Sequence, residues 1–266
     1  MKRAANTIAL IVGSGFAHAK FDLRPTAHVQ TPFGSTSSPI LKLDFDGFEV
    51  NVIARHGLDN EWAPHAVNYR ANIWALHELG VTHCMAFNVV GGIDRQLRPG
   101  VIAVPHQLVD YTCARESSFG GPDGEVVHIE FTEPFSPHVR DVLESACVAQ
   151  GVPVHRGIYA VTQGPRLETA AEIDRLERDG CTMVGMTAMP EAALAREVGI
   201  EYAVLAGVVN HAAGRAPQGR SLHAEIIDAL ESVMACGQAV LVKAAVTLAE
   251  PTLQRESVTA IVEKPT

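Results

Sequence analysis

The chain has 266 residues, of which 47% are hydrophobic and 19% charged, enough for a large core and unlike the composition of a disordered protein. A formal net charge of −9 argues against a nucleic-acid surface, which needs clustered Lys and Arg. A small anion bound here must therefore be held by a local site against the overall field. Five cysteines (Cys84, Cys113, Cys147, Cys181, Cys236) are scattered singly with no C-x-x-C pair, the pattern of reduced thiols in a cytoplasmic protein. No stretch approaches the roughly 18 apolar residues of a membrane span, so no membrane partner is expected. The start, with Lys2-Arg3, an apolar run and Ala17-His18-Ala19, has the outline of a signal peptide. The run Ile8 to Val12 is short, however, and Gly13-Ser14-Gly15 breaks it, so a buried first strand is the better reading.

That strand, Ile8–Val12, is followed by a loosely alternating strand Phe48–Ala54 ending at Arg55-His56-Gly57. Val67–Leu79 carries apolar residues at helical spacing and stops at Gly80. Cys84–Val90 predicts a strand running into Gly91-Gly92, and Val101–Val104 and Leu108–Tyr111 predict strand pieces. Pro137–Gln150 predicts a helix, Gly157–Thr162 a strand, and Glu168–Asp179 and Glu191–Val198 two helices ended by Gly180 and Gly199. Tyr202–Val209 is the longest buried strand and Ala224–Leu248 a long closing helix. Strands alternating with helices indicate one α/β domain over residues 1–249, with residues 250–266 a flexible polar tail.

Polar and Gly-rich residues gather at the predicted strand ends, where open α/β sheets bind ligands. They are Gly13-Ser14-Gly15, Arg55-His56-Gly57, Asn88 to Gly92, Gln163 to Glu168, Gly185-Met186-Thr187 and Asn210-His211. Singly, each has a plain structural reading: a tight turn for Gly-Ser-Gly, a surface ion pair for Arg55, core filling for Met186, a cap for Asn210. Gly-Ser-Gly is not a dinucleotide fingerprint, since the third glycine and the downstream ribose acid are missing. The twelve histidines show no paired metal-ligand spacing, so no metal is expected.

Together with Val67-Asn68-Tyr69-Arg70-Ala71-Asn72, Gly164-Pro165-Arg166-Leu167-Glu168-Thr169 and Gly185-Met186-Thr187-Ala188-Met189-Pro190-Glu191, these segments resemble the trimeric purine nucleoside phosphorylase and methylthioadenosine phosphorylase family. The likeness runs from about Thr7 to Leu248 in the family's order and spacing. Thr31-Pro32-Phe33-Gly34, Pro105 to Thr112, Thr162 to Glu168 and Val208-Val209-Asn210 resemble in particular the bacterial members that act on S-methyl-5′-thioinosine. The resemblance implies a single-domain α/β/α sandwich with a mixed, partly barrel-like central sheet, assembled as a homotrimer. It implies an enzyme that transfers a pentosyl group from a purine to inorganic phosphate, a co-substrate rather than a cofactor.

By family matching the phosphate falls to Ser14, Arg55, His56, Thr187 and the backbone of Asn88 and Val89, with Met186 against the ribose and Leu167 also lining the substrate site. A guanidinium fork, small hydroxyls and main-chain N–H groups are what a tetrahedral oxyanion requires. The transition state is oxocarbenium-like and the base leaves as an anion, so the protein positions and stabilises charge. Members taking 6-aminopurines carry an Asp-x-Asp pair after the long strand; here Asn210-His211-Ala212 stands there, and Glu168 occupies the place of the 6-oxopurine glutamate. A Glu168 carboxylate can accept the N1–H that a 6-oxopurine has and adenine lacks, while the Asn210 amide can face O6 and N7. Glu168 also has a plain reading as a helix-start acid. His128 matches a histidine that reaches the 5′ group from a neighbouring subunit, with an ordinary interface histidine as the alternative. Asn60 and His211 depart from the family pattern and leave the 5′ substituent open between methylthio and hydroxyl. The expected reaction is phosphorolysis of a 6-oxopurine nucleoside, S-methyl-5′-thioinosine foremost. A general inosine/guanosine phosphorylase, a methylthioadenosine phosphorylase, a nucleoside hydrolase and a non-catalytic nucleoside-binding module are the alternatives.

Overall fold

The computed structural model describes residues 6–13, 24–25, 29–45, 47–120 and 126–250. The expected tail from 251 onward and Ser14 lie outside the described residues. In chain order the elements are β1 (Ile8–Val12), β2 (Arg24–Pro25), β3 (Gln30–Thr31), β4 (Gly34–Ser35), β5 (Leu41–Phe45), β6 (Phe48–Ala54), α1 (Tyr69–Glu78), β7 (His83–Gly92) and β8 (Ile102–Asp110). Then follow α2 (Pro137–Ala149), β9 (Val154–Val161), α3 (Ala170–Arg178), β10 (Met183–Gly185), α4 (Ala188–Glu197), β11 (Glu201–His211) and α5 (Leu222–Ala249).

Local chemistry sets the helix starts. Asn68, Ser136, Thr169 and Ser221 each cap a helix by accepting a backbone N–H of its first turn. At α3 the cap is reciprocal: Thr169 accepts from the Glu172 N–H, and the Glu172 carboxylate accepts from the Thr169 N–H. This helix therefore begins two residues later than expected from the sequence, and Glu168 stands outside it. Gly180, which stops it, sits at φ +88°, a left-handed conformation that costs glycine little.

Nine strands form one mixed sheet in the order β10-β9-β8-β11-β7-β1-β6-β5-β2, and β10 pairs back onto β7. That extra pairing closes β7, β11, β8, β9 and β10 into a barrel-like ring, with β1, β6, β5 and β2 as an open wing. Strands β1, β6, β7 and β11 run parallel to one another, and β8, β9 and β10 form a second parallel set. The two sets meet at antiparallel seams, β11 with β8 and β10 with β7. The two strand pieces expected over 101–111 are one strand, β8, whose register shifts between Pro105 and Gln107. Strand β10, three residues long, was not legible by periodicity, although it closes the ring.

Residues 202–210 of β11 are all buried, which requires cover on both faces of the sheet. Helices α5 and α2 pack on each other and on β11, while α4, packed on α1, covers β11 as well. The approach of α5 depends on two missing side chains. A Cβ at Gly237 would stand 2.1 Å from the Phe87 ring, and one at Gly207 would stand 2.2 Å from Val233. By length and composition α5 is apolar enough to cross a bilayer, which corrects the expectation that no such stretch exists; half of its apolar window is buried inside the fold.

Candidate active site

Strand pairing leaves a notch in the sheet. Strand β1 pairs with β7 only as far as Val12 opposite Phe87, and β10 takes up the same side of β7 at Gly91 and Gly92. Between them the backbone of Asn88, Val89 and Val90 has no strand partner on that side among the described residues. Because β10 runs antiparallel to β7, the chain leaving its end heads back along β7 and delivers Met186 and Thr187 to the notch. The polar segments fall at strand ends, as expected from the sequence, but those ends do not all face the same way. They belong to two opposed strand sets, which the closure of the ring brings together.

Arg55 follows β6 at the floor of this notch and is 1% exposed. Its Nε and Nη2 donate to the two oxygens of the Glu191 carboxylate at 2.5 and 3.0 Å, Nη2 also donates to Asn88 Oδ1 at 2.8 Å, and Nη1 donates to the Phe87 carbonyl at 3.3 Å. Glu191 is 0% exposed and accepts a further bond from the Tyr202 hydroxyl at 2.8 Å. Burial works against the charge on Arg55, and the facing Glu191 carboxylate more than offsets it, so the guanidinium pKa lies above its ordinary value. Four of the five guanidinium N–H groups are thus engaged inside the protein. The remaining one, on Nη1, has no partner among the described residues; a Cβ at Gly13 would meet that atom at 3.1 Å. The surface ion pair considered for Arg55 is therefore a buried one.

His56 is half-buried beside it. Its Nδ1 lies 2.7 Å from the Trp62 carbonyl, which can only accept, so the proton sits on Nδ1 and the neutral ring presents Nε2 as an acceptor. Burial, and then the neighbouring Arg55 charge, push its pKa below the ordinary value. Thr187 precedes α4 but makes no capping bond with its hydroxyl, although it is only 7% exposed. Its neighbour is Tyr159, whose hydroxyl also accepts from Asn88 Nδ2 at 3.3 Å. The Met186 sulfur packs over Gly164, where a Cβ would lie 2.5 Å from it, which ties the Met186 turn to the Gln163–Glu168 loop.

A second wall carries Glu168 and Asn210. Thr169 and Glu172 form the α3 cap, so Glu168, one residue before it, takes no part in the capping bonds. Its Oε1 accepts from the Thr162 hydroxyl at 2.6 Å, and Oε2 has no hydrogen-bond partner among the described residues. Asn210, 6% exposed, comes just after a register shift in β11, and its amide nitrogen donates to the His211 carbonyl at 2.6 Å. Its amide lies over Gly91, as does the Val184 side chain of β10, so the β7–β10 closure brings its segment toward that of Thr162, whose N–H bonds the Gly185 carbonyl. Gly214 in the following loop packs on Ala170 at the head of α3, a second link between the Asn210 and Glu168 segments. His211 is fixed by Glu225, which is 2% exposed and accepts from both its backbone N–H and its ring Nδ1 at 2.9 Å.

Leu167 is 45% exposed beside Glu168, and His128 is exposed on the irregular segment leading to α2. Sequence reasoning gave no role to Glu191, Tyr159, Tyr202, Thr162 or Glu225. Of these, Glu191 had a signal: a charged residue inside an otherwise apolar helix stretch needs a partner of opposite charge. Among the described residues no three His, Cys, Asp or Glu side chains gather as metal ligands.

A family model described as "Phosphorylase superfamily" matches residues 7–247. The chain is 48% identical over 238 residues to a protein of Pseudomonas syringae pv. tomato named "Probable S-methyl-5′-thioinosine phosphorylase", covering 88% of this chain and 96% of that one. It is 40% identical over 234 residues to the "6-oxopurine nucleoside phosphorylase" of Pyrococcus furiosus, covering 84% and 86%. Among solved structures it resembles a methylthioadenosine phosphorylase from an antarctic soil metagenomic library, with a TM-score of 0.88 and 32% identity over 97% of this chain and 92% of that one.

The Arg55–Glu191 pair makes a direct prediction. Removing one partner of a buried ion pair typically costs about 3–5 kcal/mol, because the other charge stays buried and unpaired. Glu191→Gln should therefore lower unfolding stability by that order in urea titrations, and a change below about 1 kcal/mol, the range of a surface pair, would contradict the arrangement.

Proposed function

The chain belongs to the phosphorylase superfamily, and from that premise we propose that it splits a 6-oxopurine nucleoside with inorganic phosphate. The favoured substrate is S-methyl-5′-thioinosine, giving hypoxanthine and 5-methylthioribose 1-phosphate, a purine-salvage reaction. The carrying observation is the Glu168 carboxylate, freed from capping α3 and oriented by Thr162, on the same wall as an asparagine at the end of β11. An acceptor there suits the N1–H of a 6-oxopurine; against the bare N1 of adenine it would be left unpaired or repelled. The names of the relatives from Pseudomonas syringae pv. tomato and Pyrococcus furiosus support the same base preference.

Phosphate sits in the notch, on the spare Nη1–H of Arg55, His56, Thr187 and the backbone of Asn88 and Val89, and Ser14, which lies outside the described residues, is a further phosphate ligand by the family resemblance. Met186 covers the ribose and Leu167 the edge of the base. As the glycosidic bond breaks, the phosphate oxygens face the cationic sugar while the Asn210 amide stabilises charge on the departing purine. No cofactor takes part. The enzyme works as a homotrimer in which His128 reaches a neighbour's 5′ site; ultracentrifugation showing a monomer would overturn that arrangement. Five unpaired cysteines suit a cytoplasmic setting.

One assay tests the reaction. Base release from S-methyl-5′-thioinosine, inosine and methylthioadenosine is measured with and without phosphate. Release should require phosphate and be fastest for S-methyl-5′-thioinosine; release without phosphate would indicate a hydrolase. Asn210→Asp should shift the ratio of kcat/KM toward the 6-aminopurine by roughly tenfold or more, on the scale of one gained or lost polar contact to the base. An unchanged ratio would remove Asn210 from the base site.

The protonation of His56 gives a further expectation. A neutral His56 accepts through Nε2 and so favours an anion that carries a proton, as monohydrogen phosphate does and sulfate does not. Sulfate should compete poorly with phosphate near pH 7.5 and better as the pH falls through the lowered His56 pKa, below the ordinary 6.5, where the ring becomes a donor. In His56→Gln this pH dependence should vanish; if it persists, another group is responsible.

A further inference from the structure

The three parallel strands β8, β9 and β10 end side by side, and the segments that leave them carry different tasks. The chain after β9 leads to Glu168, the chain after β10 carries Met186 and Thr187, and the chain after β8 runs through Tyr111 to Gly120 without any role in the reading above. From this third segment Arg115 reaches across the other two. Its Nε donates to Gln163 Oε1 at 3.1 Å, and Nη2 donates to the carbonyls of Gln163 at 2.8 Å and Thr162 at 3.3 Å. On the other side of the fork Nη1 donates to the carbonyls of Met186 at 2.8 Å and Met189 at 2.6 Å. All five guanidinium N–H groups thus have an acceptor on one of the two substrate-facing segments.

The arrangement is reinforced on both sides. The guanidinium lies over the Tyr69 ring at 5.5 Å, a favourable cation–π position. Gln163 Oε1 also accepts the Cys113 N–H at 3.1 Å, so the β8 segment is fastened to the same loop twice. Ala114 holds a left-handed φ of +54°, which a residue with a Cβ adopts at a cost and which aims the next side chain inward. A lysine could not reproduce this, because its ammonium is a single point of charge with three donors, whereas the planar fork spans two loops at once.

We infer that Arg115 is a positioning residue for the reaction: it holds the loop of the base acid Glu168 and the turn of Met186 and Thr187 at a fixed separation, so that base and phosphate are gripped in register. This rests on the phosphorolysis reading above. Both ends of the nucleoside must be held while the bond between them breaks, and a misplacement of about 1 Å can cost 100-fold in rate.

The test uses Arg115→Lys in the full chain, checked for folding by circular dichroism at the assay temperature. The expected result is a fall in kcat/KM of roughly tenfold or more for nucleoside and for phosphate together, with a narrower preference for 6-oxo over 6-amino substrates. Combined with Glu168→Gln, the two losses should be less than additive, since each disrupts the same alignment. A purely structural arginine would instead lower the melting temperature, leave the substrate preference unmoved and give additive losses, and that outcome overturns the proposal. Hydrogen exchange on the unliganded protein gives a readout independent of substrate. Exchange should accelerate in 162–168 and in 186–190 together; acceleration in neither or only one overturns the coupling. If the wild-type chain released no base with phosphate, the functional reading would fall by itself, while the exchange result would still decide whether Arg115 joins the two segments.

Discussion

Arg55 and Glu191 bring a guanidinium and a carboxylate together with 1% and 0% of their side-chain surface exposed, and much of the candidate site is arranged around that contact. Arg55 comes from the end of β6 and Glu191 from α4, so the pair fixes the open wing of the sheet against the helix that follows the closing strand β10. Such a pair is tolerated in the core when most of its remaining donors and acceptors are satisfied. Here Asn88, the Phe87 carbonyl and Tyr202 do this, and Asn88 in turn meets Tyr159, which faces Thr187. The floor of the notch is therefore a connected polar network, and the spare Nη1–H is held in place before any ligand arrives.

That arrangement also bears on how an acidic protein could hold the phosphate we propose for the notch. A net charge of −9 repels phosphate at long range, but solvent and salt screen the distant charges while the groups in the notch act at contact distance. Most of the positive charge of Arg55 is balanced by Glu191, which leaves directed N–H groups, a hydroxyl without capping duty and unpaired backbone to meet the anion. Geometry, more than net charge, makes the notch suitable for an oxyanion.

The barrel-like closure shapes the other half of the site. Pairing of β10 with β7 brings the Glu168, Met186 and Asn210 segments together although they leave strands of opposite direction. Loops carried on separate strands can drift relative to one another, and contacts between them limit this. Met186 lies over Gly164, Gly214 over Ala170, and Arg115 spans the remaining gap. The single chain leaves the His128 segment on its surface.

Much of this was legible in the order of residues. The apolar runs of β1, β7 and β11, the Gly stops of α1 to α4 and the clustered polar segments follow from periodicity and turn chemistry, which act over a few residues. The phosphate and base residues were named from the same segments, with the family resemblance supplying their roles. What the sequence could not show depends on contacts between distant parts of the chain. Strand β10, at three residues, is too short for a periodic signal, yet it decides which loops meet. Thr169 and Glu172 read equally well as surface residues until their reciprocal bonds release Glu168 for other work. Arg55 and Glu191 are 136 positions apart, and Arg115 lies 48 and 71 positions from the carbonyls of Gln163 and Met186. Local propensity carries no information on such pairings, because they form only once the sheet has closed and water has left. The sequence by itself determined the elements and the chemical vocabulary of the site; the tertiary structure alone decided which charge is neutralised, which carboxylate stands outside the helix cap, and which arginine bridges the two loops.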